Sequence, residues 1–274
     1  MPELPEVETV RRSLNELIIG KVIKDIKVKY DRILQNVTKE EFRNELLNEE
    51  FINVDRCGKY LIFVLKNHLM LAHLRMEGKY LLRKDITEET KHDHILFFFN
   101  DGDILMYNDT RKFGVIYLYK NVSIDDLLKI EPLNKLGIEP ISGKLTVEYL
   151  KNKMGKSNKP VKTMLLDQSI ISGLGNIYAD EVCFMAKLHP NKLCNTLTDL
   201  DYENIIDAST KVLNKAIKLG GTTIKSFMSS HEITGRFQNE LLVHTKETCP
   251  VCNSKIIKIR VGGRGTYYCP ECQK

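Results

Sequence analysis

Four cysteines close to the C-terminus carry the most specific chemistry in the sequence. Cys249-Pro-Val-Cys252 and Cys269-Pro-Glu-Cys272 are two Cys-x-x-Cys pairs separated by 16 residues. That spacing offers four thiolates to one tetrahedral ion, and zinc takes four sulfur ligands with no open position. The metal is therefore expected to be one structural zinc ion that braces a hairpin. Its strands would be KIIKIRV and TYY, on either side of Gly262-Gly263-Arg264-Gly265. Arg264 is expected to project from that glycine turn, where backbone and guanidinium can approach a phosphate closely. The chain has 7 cysteines, an odd number that speaks against a secreted disulfide framework.

Two further segments have chemical potential. Gly173-Leu-Gly175-Asn176 precedes IYADE, so a tight glycine turn should open a helix whose amides, with Asn176, form an anion site. At the other end of the chain, removal of Met1 would expose Pro2 as a secondary amine. Such an amine can attack a sugar carbon and pass directly to a cationic iminium, an electron sink for elimination. A helix beginning just behind it should favour the free base, and Glu3 lies beside it as an acid/base or a partner for positive charge.

These groups need elements to hold them. Val7, Val10, Leu14 and Leu17 recur at helical spacing, with Pro5 in the first turn, Glu6 and Glu8 complementing the dipole and Gly20 closing the helix. From about residue 22 to 119 short strands follow: alternating Ile26, Val28 and Tyr30, then YLIFVL, LMLAHL, HILFFF, ILMY and VIYLY, with turns such as NDGD. From about residue 123 helices take over, with Ser123 and Thr146 as caps, through PVKTMLLDQ, NIYADEVCFMAKL and LDYENIIDASTKVLNKAIKL. The polar stretch 220–239 reads as a long loop. The expected fold is α+β: an N-terminal antiparallel β-sandwich with a flanking helix, a helical domain and a C-terminal zinc hairpin.

Composition sets the outer limits. The 274 residues are 42% hydrophobic with net charge +5, and no run approaches the roughly 20 apolar residues of a membrane span. MPELPEVETVRRSL has acids and prolines where a signal peptide needs a basic patch and an apolar run, so a cytosolic protein is expected. The positive charge is concentrated. Lys151, Lys153, Lys156, Lys159 and Lys162 form one run without an acid, and the last thirty residues hold a second basic run against only Glu247 and Glu271, which together point to a polyanion.

Taken in order, MPELPEVETVRR, AHLRMEGKY, DTRKFG, LLDQSIISGLGNIYADE and GGRGTYYCPECQ closely resemble the formamidopyrimidine-DNA glycosylases of bacteria over essentially the whole chain. The resemblance implies a β-sandwich over 1–122, a helix–two-turns–helix domain over 123–222, a lesion-capping loop over 223–238 and a zinc finger over 239–274. It implies removal of 8-oxoguanine and formamidopyrimidines from duplex DNA, then β- and δ-elimination at the abasic site. The family nucleophile falls on Pro2, the adjacent acid/base on Glu3, the β-elimination lysine on Lys59 and the δ-elimination residue on Arg264.

Excision within a duplex requires the nucleotide to be flipped out and the gap filled. Met76, Arg111 and Phe113 match the family's wedge, the arginine facing the orphaned cytosine. His73, His92 and Asn176 match DNA-contacting positions. A family DNA-binding lysine falls among Lys153, Lys156 and Lys159, with Lys153 favoured and Lys156 next to it. The implied partner is damaged double-stranded DNA, bound by a monomer. Two rivals differ in kind: an endonuclease VIII-like enzyme for oxidised pyrimidines, which tends to have glycine where Leu4 stands, and a zinc-containing DNA-binding protein without catalysis, which would need neither Pro2, Glu3 nor Lys59.

Overall fold

Period-two alternation of Leu61, Phe63 and Leu65 against Ile95, Phe97 and Phe99 buries one face of each of two sheets in a common core. The structure, a computed structural model, describes residues 2–87, 89–222 and 235–274. It divides into two units, the first built mainly from 6–134 and the second from 3–5, 135–222 and the C-terminal residues from 235 onward.

In the first unit, α1 (Leu4–Ile18) leads to β1 (Ile23–Val28), α2 (Lys39–Leu46), β2 (Phe51–Cys57), β3 (Tyr60–Leu65), β4 (His68–His73), β5 (Lys79–Arg83), β6 (Asp93–Phe99), β7 (Ile104–Asn108), β8 (Val115–Lys120) and the single turn α3 (Ile124–Leu127). The two four-stranded sheets run β1-β6-β7-β5 and β2-β3-β4-β8, with every pair antiparallel. Phe51 sets the centre of the core, meeting Phe63, Phe97 and Phe99 edge-on at 5.9–6.3 Å between ring centroids. Val7, Val10, Leu14 and Ile18 of α1 join that core. The sandwich with a flanking helix is therefore as expected. The helix α2 is not: Thr38 and Glu41 form a reciprocal capping box that starts it within the strand-rich stretch.

The second unit contains α4 (Val147–Met154), α5 (Val161–Leu165), α6 (Asn176–Met185), α7 (Asp199–Lys218) and the hairpin β9 (Ile257–Val261) and β10 (Arg264–Tyr268). On α7, Tyr202, Ile205, Ala208, Ser209, Val212, Leu213 and Ala216 form the buried stripe, started by Thr198 in a capping box with Asp201. Between α5 and α6 two turns are tied by Gln168, whose amide donates to Leu166 O and Leu174 O and accepts from Gly173 N. This is the helix–two-turns–helix arrangement. Of the capping loop expected at 223–238, residues 223–234 lie outside the described residues. Among the described residues no helix is long and apolar enough to cross a membrane.

Candidate functional site

The glycines before α6 are there to admit the start of the chain. Glu3 is 2% exposed, and its carboxylate accepts from Gly175 N at 2.6 Å, Ile177 N at 3.0 Å and Tyr178 N at 3.5 Å. Leu4 N donates to Gly173 O at 3.1 Å. A methyl group at Gly175 would overlap the Glu3 carboxylate, and one at Gly173 would overlap the Leu4 side chain. The expected anion site at the opening of α6 thus exists, but the anion in it is Glu3 itself. Asn176 turns its amide to Gly265 O at 3.0 Å and remains half-buried.

Lys59 is the second residue of a two-residue turn that joins Cys57 and Tyr60 across β2 and β3. Gly58 takes φ +57° at the first turn position, which favours glycine. Arg56, in the preceding strand, donates to Gly58 O at 2.8 Å and approaches Glu8 of α1 at 3.3 Å. Glu8 also accepts from Arg11 and Arg12 at 2.8 Å. Burial pushes the Glu8 carboxyl up, but the guanidiniums of Arg11 and Arg12 outweigh it and hold it down at about 2. Lys59 is itself 6% exposed, so the solvated charge that its loop position suggests is not what the fold makes of it.

The wedge candidates occupy two loops. Arg75 and Glu77 are exposed, Met76 is half-buried, and Arg75 takes φ +55° with its N–H donating to His73 Nδ1 at 2.9 Å. His73 is buried against Tyr60, and burial, then the charges of Arg75 and Lys59, push it down to about 3, so that the ring is neutral. Arg111 and Phe113 are both exposed, Phe113 at 51%, and the guanidinium lies 4.7 Å from the ring centroid. An exposed phenylalanine held by its own neighbours rather than by a core offers a flat apolar face to a ligand. His92 is half-buried at the edge of β6.

In the second unit, the sulfurs of Cys249, Cys252, Cys269 and Cys272 lie within 4.8 Å of one another. Cys249–Cys272 and Cys252–Cys269 are 3.8 and 3.4 Å apart, against the roughly 3.8 Å edge that zinc–sulfur bonds of about 2.3 Å define in a tetrahedron. The four donors fit one zinc ion. Gly262 and Gly263, at φ +53° and +78°, make the hairpin turn, and Arg264 opens β10 opposite Val261 rather than standing within the turn. The guanidinium side remains exposed.

Lysines 151, 153, 156 and 159 are exposed, with the Lys153 ammonium 5.9 Å from the Tyr149 ring centroid. Lys162 departs from the expected basic face. It is fully buried and pairs with buried Asp180 at 2.7 Å, while donating to Thr266 Oγ1 at 2.8 Å and Gly265 O at 3.2 Å. Asp180 also meets His244 Nδ1 at 2.7 Å and Tyr267 N at 3.3 Å. Beside it, Glu181 accepts from the backbone N–H groups of Leu242, Val243 and His244 at 2.8–3.0 Å. This network, which sequence reasoning missed, seats the hairpin on α5 and α6. Its one local signal is Asp180-Glu181, two adjacent acids on an otherwise apolar helix. Arg56 was missed too, for lack of any local pattern.

Comparison with known proteins places all three zones in one family. Residues 1–116 match the model of the formamidopyrimidine-DNA glycosylase N-terminal domain, 136–228 the H2TH domain of the same enzymes, and 246–274 the zinc finger found in FPG and IleRS. The chain is 46% identical over 277 residues to a formamidopyrimidine-DNA glycosylase of Ureaplasma parvum, covering 100% of each chain. It is 43% identical to one of Bacillus cereus, covering 100% of this chain and 99% of the other. Among solved structures, wild-type Lactococcus lactis Fpg with N7-benzyl-Fapy-dG-containing DNA matches at TM-score 0.92 and 42% identity, covering 100% of both chains. The same species' enzyme with abasic-site DNA matches at 0.90 and 41%, covering 99% of both.

Proposed function

The chain belongs to the formamidopyrimidine-DNA glycosylase family, and from that premise we propose that it excises oxidised purines from duplex DNA through Pro2 and then cuts the strand. Once Met1 is gone, the Pro2 nitrogen attacks C1′ of the flipped nucleotide and displaces the damaged base, which leaves with a proton. Pro2 then loses its N–H proton and the C1′–O4′ bond breaks with O4′ taking up a proton, so that a cationic iminium links enzyme and the opened sugar. Lys59 removes the 2′ proton for β-elimination, and Arg264 assists the δ-elimination that releases the second phosphate. Met76 and Phe113 fill the vacated stack while Arg111 faces the orphaned base. His73, His92, Lys153, Lys156 and Asn176 serve the grip on DNA. The zinc ion supplies no chemistry; Cys249, Cys252, Cys269 and Cys272 hold it to keep the hairpin folded. The enzyme acts as a monomer on damaged DNA in the cytosol, with modules at 1–122, 123–222, 223–238 and 239–274.

The clamp on Glu3 carries this reading. Chain ends ordinarily fray, yet the residue next to Pro2 is held by three amides of the α6 opening. A nucleophile on a chain end needs that immobility to meet a sugar carbon in a defined geometry. Incubation with an 8-oxoguanine:cytosine duplex and borohydride tests it. A covalent adduct through Pro2 is expected, with thymine glycol a poorer substrate. Absence of the adduct, or an undiminished adduct when Met1 is retained, overturns the mechanism.

A further inference from the structure

Asp109 has no exposed surface, and the chemistry proposed above does not use it. Its carboxylate accepts three backbone N–H groups, all from the loop that follows: Arg111 on Oδ1 and Phe113 and Gly114 on Oδ2, each at 2.9 Å. Two of these three donors belong to the wedge residues themselves. Its backbone is engaged as well, Asp109 N donating to His92 O at 3.0 Å and Asp109 O accepting from His94 Nε2 at 2.8 Å. Between the bonded positions Lys112 is held at φ +58°, a conformation that side chains other than glycine rarely adopt.

A second group joins this loop to the other one. The Tyr107 hydroxyl lies 3.5 Å from Asp109 Oδ2. A methyl group on Gly78, at the end of the loop bearing Met76, or on Gly114, at the end of the loop bearing Phe113, would overlap that same hydroxyl. Both wedge loops therefore rest on one buried phenol, and the phenol faces the carboxylate.

We propose that Asp109, braced by Tyr107, is a positioning residue that presents Arg111 and Phe113 to DNA in fixed register with Met76. Discrimination of the base opposite the lesion then depends on a carboxylate buried beneath the wedge. A bare loop of this kind would sample many conformers, and misplacement by about 1 Å can cost on the order of 100-fold in rate. The inference rests on the reading of Met76, Arg111 and Phe113 as the inserted wedge.

Asp109→Asn tests it by replacing one acceptor oxygen with an NH2 group. Either the Arg111 N–H or the Phe113 and Gly114 N–H groups then face a donor. Excision of 8-oxoguanine from a duplex should fall about 30-fold or more, and the preference for cytosine over adenine opposite the lesion should collapse towards unity. Borohydride trapping on a single-stranded abasic oligonucleotide needs no wedge and should stay within about 3-fold of wild type. Equal loss on both substrates would mean general damage and overturn the proposal. So would unchanged excision and base preference in Asp109→Asn while Phe113→Ala loses duplex activity. If Phe113→Ala and Arg111→Ala also leave duplex excision intact, the wedge reading itself is wrong and falls together with the proposal. Should Asp109→Asn not fold, Tyr107→Phe decides. A smaller loss confined to duplex substrate, about 5-fold, supports the strut, and an equal or absent effect on the two substrates rejects it.

Discussion

Arg111 and Arg264 are both exposed arginines beside tight turns, one in each unit, and they are held in opposite ways. The loop of Arg111 is anchored by Asp109, whose bonds reach residues two, four and five positions away. The strand that Arg264 opens is seated at Gly265 and Thr266 by Asn176 and Lys162, which lie 89 to 104 positions from these acceptors, and its hairpin is held by four cysteines. The carboxylate bonds of the first anchor all lie within its own segment. The second requires α5, α6 and the hairpin to meet. Local anchoring gives a loop that should withstand distant damage, and long-range anchoring makes the hairpin a reporter of the whole second unit.

The strongest way to break that contrast is to remove the metal. Structural zinc contributes apparent binding energies of about 10–16 kcal/mol to small finger modules. Cys269→Ser, or chelation of the wild type, should therefore unseat the hairpin and weaken binding of damaged duplex by ~100-fold or more. Zinc content and fluorescence anisotropy read this, while the strand signal of the sandwich in circular dichroism should persist. Full affinity without zinc would show that the hairpin does not depend on it.

A smaller effect is expected from the buried ion pair. Lys162→Met removes the ammonium paired with Asp180 in the interior, and stranding a buried charge costs about 3–5 kcal/mol. Lys162→Met with Asp180→Leu should recover much of that loss in urea unfolding, because the uncompensated charge has gone. Single and double variants of equal stability would mean that the pair does not anchor the hairpin.

The smallest effect tests the sandwich unit through pH. The Glu8 carboxyl lies at about 2 in the folded chain against an ordinary 4.5, because Arg11, Arg12 and Arg56 together outweigh its burial. A carboxyl with a depressed folded pKa stabilises the fold above pH 4.5, and that contribution is lost as pH falls through 4.5 towards 2. Glu8→Gln should therefore be less stable than wild type at pH 7, with the gap closing by about pH 2. A gap independent of pH would assign the loss to packing instead.

Legibility in the sequence follows the same division. The caps at Ser123 and Thr146, the apolar stripe of α1 and the alternating strands were readable because their partners lie within one turn or one hairpin. The cysteine pairs were readable because a tetrahedral ion demands that spacing. Helix α2 is hard to see in the sequence although Thr38 and Glu41 spell out a capping box, because its short length hides it among strands. Lys162 reads as part of a basic face because nothing within its own segment names Asp180. The anion site before α6 was legible as a site, but its occupant lies more than 170 positions away.

The sequence by itself determined the family, the fold class and the zinc ligands, because those depend on residue type, spacing and order. Only the tertiary structure decided which charges serve the fold and which face outward. It put Glu3 on the α6 amides, Lys162 on Asp180 and Asp109 under the loop that carries Arg111 and Phe113, while leaving Arg111, Arg264 and lysines 151, 153, 156 and 159 exposed. The physical reason is that a charge enters the interior only where partners from distant segments compensate its desolvation, and no local pattern encodes those meetings.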